Sequence, residues 1–152
     1  MEHEGEIAVV IGRRARHVPE VEAMAVVAGF AALNDVTARD LQRVDSQWSR
    51  AKGFDTFCPV GRPGAAPGDD WRALEVECRV NGEVRQHGSA TDMVFGVPTL
   101  IAYVSRIMTL EPGDLIATGT PEGVGPLAPG DVVEVELPGV SSLSNPVATQ
   151  EG

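Results

Sequence analysis

The run His3-Glu4-Gly5-Glu6 sets two carboxylates two residues apart at the entrance to an apolar segment, Ile7-Ala8-Val9-Val10-Ile11. Side chains at i and i+2 of a strand point to the same face, so Glu4 and Glu6 can converge. A third carboxylate beside them would make an oxygen-only site for a hard divalent cation, and Asp35 in Asn34-Asp35-Val36-Thr37 is the candidate. Three negative charges cannot sit together half-buried without protons or a metal to compensate them. Spacing alone leaves a plainer reading open, a solvated acidic N-terminus ahead of a core strand.

The elements that must position these groups follow from periodicity. Residues 6–11 read as a buried strand that ends at Gly12 and a basic stretch. Val18-Pro19-Glu20 opens a helix, with Pro19 in its first turn and Val21, Met24, Ala25 and Ala28 as its apolar stripe. Thr37 is placed to cap a short helical turn in which Arg39 and Gln42, three residues apart, share a face. Residues 61–70 hold three glycines and two prolines and read as a surface loop.

Leu74, Val76, Cys78 and Val80 alternate with charged residues, as in a half-buried strand. Asn81-Gly82 is a type I′ hairpin pair, so residues 83–86 return antiparallel. A helix is expected over 98–108 with Leu100, Ile101, Val104 and Ile107 inward, then strands over 115–118 and 131–137, with fraying after Pro146. Strands outnumber helices and no βαβ rhythm appears. The expected class is α+β, mostly β.

The 152 residues fit one domain, 1–152. No apolar run approaches the roughly 18 residues of a membrane span. The formal charge of −10 disfavours nucleic acid and anionic membranes as partners. Cys58 and Cys78 match no zinc spacing and no disulfide framework. With an acidic N-terminus and no secretory signal, the expected setting is cytoplasmic with both thiols reduced. The glycine-rich stretch 118–125 lacks the Gly-Lys-Ser/Thr of a phosphate loop, which argues against nucleotide binding.

Five blocks in order, HEGEIAVVIG, NDVTARDLQ, RAKGFDTFCPVG, NGEVRQHGSATDMVF and GDLIATGTPEGVGP, resemble the fumarylacetoacetate hydrolase family. The resemblance covers its catalytic C-terminal domain, without the segment that usually precedes the HEGE block. It implies a rolled mixed β-sandwich with short helices, a homodimer, and a metal site of Glu4, Glu6 and Asp35 for Mg2+ or Mn2+, with Ca2+ possible in principle. Such a cation takes about six oxygens or more, leaving positions for water and a bidentate 2-oxo carboxylate. The carbonyl would be polarised and an enolate stabilised.

By the same resemblance Arg39 and Lys52 face metal and substrate, Gln42 hydrogen-bonds substrate, Thr56 neighbours the metal or lysine, and Thr120 is brought toward the substrate by the 118–125 turn. Without it, Arg39 could pair with Asp40, Lys52 could lie on the surface, and Thr120 could sit in a plain tight turn. The apolar setting of Lys52 could lower its pKa or orient it. His3 is expected on the strand face opposite Glu4, and His3, His17 and His87 in surface or supporting roles. The implied activity is isomerase or C–C hydrolase chemistry on a 2-oxo dicarboxylate or acylpyruvate from aromatic ring cleavage. The blocks are most similar to hydroxymuconate and heptadienedioate isomerase members. Oxaloacetate decarboxylation is the alternative, and a partial metal-binding domain that needs a partner is another.

Overall fold

A computed structural model describes residues 1–149 apart from Pro67 and Asp69. Its framework is two antiparallel sheets sharing one core. Strand β2 (Gly5–Ile11) is central to the first, flanked by β3 (Val27–Asn34) and β6 (Leu115–Ala117). The second runs in the order β5 (Glu83–Ser89), β4 (Glu75–Val80), β8 (Val132–Leu137), β9 (Ser141–Pro146). A short ladder joins β1 (Glu2–His3) to β7 (Gly125–Pro126). The mostly-β reading holds, with three short α-helices among the described residues: α1 (Arg39–Val44), α2 (Ser49–Lys52) and α3 (Val97–Ile107).

Alternation decides which side chains meet. Ile7, Val9 and Ile11 face Val76 and Cys78 of β4 and Val133, Val135 and Leu137 of β8 in the shared core. The opposite face of β2 carries Glu6, Ala8 and Val10, with Glu4 just before the strand and Ala31 and Leu33 of β3 beside them. The carboxylates therefore point away from the main core while remaining buried, at 6% exposure for Glu4 and 3% for Glu6. The hairpin turns at Asn81 and Gly82, both with positive φ, as the type I′ reading expects. The strand readings over 74–80, 115–118 and 131–137 are realised within a residue at each end, and the returning hairpin strand runs from Glu83 three residues beyond Gln86 to Ser89.

Other expectations are corrected. The helix after Pro19 is a 3-10 helix, Glu20–Val26, which packs on α3. Its three-residue turn buries Ala23 and Val26 and leaves Val21 93% exposed. Ala28 belongs to β3, a strand the periodicity did not reveal. In α3 the buried residues are Val97, Ile101, Ala102 and Ser105, Val104 packs half-buried against the core as expected, and Ile107 is exposed. Thr37 does not cap α1, whose N-cap is Ala38 without a side-chain bond. Val147 is not frayed. It exchanges backbone hydrogen bonds with Gly130 and Asp131, each 2.8 Å, and packs on the core. The expected fraying of residues 150–152, and the loop reading at Pro67 and Asp69, lie outside the described residues.

Candidate active site

Backbone pairing delivers the three carboxylates to one place. Gly5 is opposite Asn34, and the Asn34 side chain accepts the Glu4 N–H at 2.9 Å. The Asp35 N–H donates to the Glu4 carbonyl at 2.9 Å, which turns Asp35 onto the face that Glu4 and Glu6 share. One oxygen from each of Glu4, Glu6 and Asp35 lies within 4.8 Å of the others. The donor set is all carboxylate oxygen, the chemistry preferred by Mg2+, Mn2+ and Ca2+.

Two cations close the cluster. Lys52, at the end of α2, donates to Glu4 Oε2 at 3.0 Å, to Asp35 Oδ2 and to Thr37 Oγ1 at 3.2 Å. The buried Thr37 hydroxyl donates in turn to the Asp35 carbonyl at 2.8 Å, so Thr37 orients the lysine instead of capping a helix. Arg39 pairs not with Asp40 but with Glu2 Oε2 at 2.8 Å and Glu4 Oε1 at 2.5 Å, while a third N–H reaches Gln42 Oε1 at 2.5 Å. Gln42 therefore joins the site through Arg39.

The electrostatics are uneven. Burial pushes the Glu6 carboxyl up to about 7; the Gly119 N–H, 2.8 Å from its Oε2, and Lys52 pull it back, and the charges of Asp35 and Glu4 add to the rise. A rise of that size favours the protonated form by about 3 kcal/mol. Burial alone would lower the Lys52 pKa, but hydrogen bonds and charge from Asp35 and Glu4 outweigh it and raise it. Of the two expectations for Lys52, a lowered pKa or an oriented side chain, the second is met: Glu4, Asp35 and Thr37 orient the ammonium and its pKa is raised. Arg39 is likewise held charged, the bonds to Glu2 and Glu4 outweighing desolvation.

The remaining expected residues divide. Thr120 donates to the Gly5 carbonyl at 2.9 Å and accepts from Gln86 at 2.7 Å, so it reaches the carboxylates through Gly5. Thr56, with φ of 70°, lines a groove of about 870 Å³ with Asn34, Val36, Phe54 and Phe57. His3 does lie on the face opposite Glu4, and it is buried, 3.0 Å from Gln86 Oε1. His87 lies on the exposed side of the hairpin, 3.7 Å from Glu75, and His17 donates its backbone N–H to the Ser105 carbonyl at 2.9 Å. Cys78 is buried and its thiol is pushed up to about 11 by desolvation; Cys58 is exposed, and neither forms a disulfide.

The sequence model described as fumarylacetoacetate (FAA) hydrolase C-terminal matches residues 1–148. The chain belongs to the fumarylacetoacetate hydrolase family. It is 43% identical over 158 residues to mouse mitochondrial oxaloacetate tautomerase FAHD1, covering 99% of this chain and 71% of that one. It is 43% identical over 147 residues to a mitochondrial oxaloacetate decarboxylase of Dictyostelium discoideum, covering 92% and 66%. The crystal structure of 5-carboxymethyl-2-hydroxymuconate delta-isomerase from Mycobacterium smegmatis superposes with a TM-score of 0.92 at 45% identity, over 99% of this chain and 60% of that one. The chain spans 55–63% of the length of three curated relatives to which it is 48–51% identical.

Proposed function

We propose that this chain is the catalytic domain of a divalent-metal-dependent enzyme of the family. Its substrates would be 2-oxo dicarboxylates or acylpyruvates, handled by isomerisation or C–C hydrolysis in the breakdown of aromatic ring-cleavage products. The observation that carries this reading is the convergence of Glu4, Glu6 and Asp35 with two retained cations, Lys52 and Arg39. The isomerase named among the structural neighbours supports the substrate class. The names of the tautomerase and decarboxylase relatives support a second reading, oxaloacetate as substrate of the same site.

Glu4, Glu6 and Asp35 would hold a Mg2+ or Mn2+ ion, with Ca2+ fitting the same oxygen donors. When bound, the ion would polarise a 2-oxo carbonyl and favour its enolate. The protein's own part is charge and orientation. Lys52 offers an ammonium on the carboxylate cluster, placed to steady negative charge that grows on the substrate. The Arg39 guanidinium is a planar fork suited to a substrate carboxylate, and Gln42 fixes its plane. Both act against a chain whose formal charge is −10, so they supply the local attraction an anionic substrate needs.

The test is a panel of oxaloacetate, acylpyruvates and hydroxymuconates assayed with Mn2+ or Mg2+. Turnover of the hydroxymuconate or acylpyruvate members supports the first reading. Turnover of oxaloacetate alone supports the second. No turnover on any member, with the fold intact, contradicts both.

A further inference from the structure

Directly beneath the carboxylates lies a buried amide. Gln86 is 1% exposed, on a strand whose other buried residue is Gly88. Its Oε1 accepts from the Gly5 N–H at 2.9 Å and lies 3.0 Å from His3 Nδ1. Its Nε2 donates to Thr120 Oγ1 at 2.7 Å and to the Pro121 carbonyl at 2.9 Å. A glutamine amide has two lone pairs and two N–H donors, and all four are used here. The pattern fixes the amide's orientation, because the reverse would oppose two donors at Gly5 and two acceptors at Pro121. It also makes His3 the donor at Nδ1.

Resting on the metal-site reading above, we propose that Gln86 is a positioning residue for the two metal-ligating glutamates. Gly5 is the only residue between Glu4 and Glu6. Its N–H is held by Gln86, and its carbonyl by Thr120, which Gln86 itself holds. The result is a closed ring: Gly5 N–H to Gln86, Gln86 to Thr120, Thr120 back to the Gly5 carbonyl. Both peptide groups that set the directions of the Glu4 and Glu6 side chains are gripped from the core side. The same amide anchors the 118–121 turn at both Thr120 and Pro121, and that turn presents the Gly119 N–H to Glu6 Oε2. The fit demands glycine at position 5, where a Cβ would lie 2.8 Å from the Cβ of Cys78. Groups that orient metal ligands in this way typically change metal affinity 10–100-fold when removed.

The test is calorimetric titration of Mn2+ into the unmodified chain and Gln86→Met, at a temperature where circular dichroism shows both folded. A role confined to stability lowers the melting temperature and leaves Mn2+ affinity unmoved. The positioning role weakens Mn2+ binding in the folded variant by about 10-fold or more. Where Gln86→Met does not fold, Thr120→Val breaks the ring at one hydroxyl, and Thr120→Ser restores it. Loss of affinity in Thr120→Val with recovery in Thr120→Ser supports the inference. Affinity within twofold of the parent in the folded variants overturns it and leaves the metal reading standing. No Mn2+ binding by the parent chain overturns the metal reading and this inference together.

Discussion

The Lys52 ammonium, at the end of a short helix and 17 residues past Asp35, bonds both Glu4, at 3.0 Å, and Asp35, and so bridges the carboxylates that flank β2 and β3. A cation in that position compensates part of the cluster's charge. Lys52→Met should therefore lower the melting temperature of the metal-free chain, because Glu4 and Asp35 lose a partner. Metal binding should persist, since three oxygen donors remain and a competing positive charge has gone. Turnover on the best substrate of the panel should fall by about 100-fold or more, as for loss of a group acting on transition-state charge. Unchanged turnover would remove Lys52 from the catalytic account.

Arg39 differs in kind because its fork joins Glu2, Glu4 and Gln42 at once. Arg39→Lys keeps the charge and cannot keep three directions. The expected result is a KM raised about 10-fold with kcat changed much less, the pattern of lost ground-state binding. Steady-state kinetics check it, and an effect confined to kcat would contradict it.

Glu6 sets the pH dependence. Its folded pKa of about 7 lies above the ordinary 4.5, so without metal the folded state binds more protons than the unfolded state between those values. Stability of the metal-free fold should accordingly fall as pH rises from 4.5 to 7. Metal binding must displace that proton, so affinity should rise with pH up to about 7 and level off above it. Between pH 8 and pH 6 the loss should be about tenfold, read by titration in two buffers. Equal affinity at both would show that Glu6 is ionised before metal arrives.

How far the sequence reveals this site depends on the residue. Glu4 and Glu6 are visible through strand spacing, and Asp35, Lys52 and Arg39 through family blocks. Strand β3 is hidden because Val27-Ala28-Gly29-Phe30-Ala31-Ala32-Leu33 is a short apolar run, largely buried, with no alternation to distinguish it from a continuing helix. Strand β9 is hidden for the opposite reason: Ser141-Ser142-Leu143-Ser144-Asn145-Pro146 is polar and, among the described residues, pairs with β8 alone. Gln86 is concealed by a bulge. A regular two-residue hairpin would set Arg85 opposite Cys78, but the register shifts between Cys78 and Arg79, and Gln86 turns inward instead. Thr37 reads as a helix cap by type and serves the lysine by geometry.

The chain is expected to pair as a homodimer. Tyr103 and Ile107 lie one turn apart on α3, 62% and 59% exposed, and Phe95 just before the helix is 62% exposed. These side chains are available to pack against a second copy of the chain about a twofold axis. Light scattering at micromolar concentration should give twice the chain mass. A single monomeric mass would contradict pairing without touching the metal site.

Glu4, Glu6 and Asp35 together are expected to hold one divalent cation, which titration calorimetry with Mn2+ and Mg2+ checks. The unmodified chain should show a single site at pH 8, and Asp35→Ala should lose that binding with the fold retained. No measurable binding of either ion to the unmodified chain, or equal binding in Asp35→Ala, would contradict it.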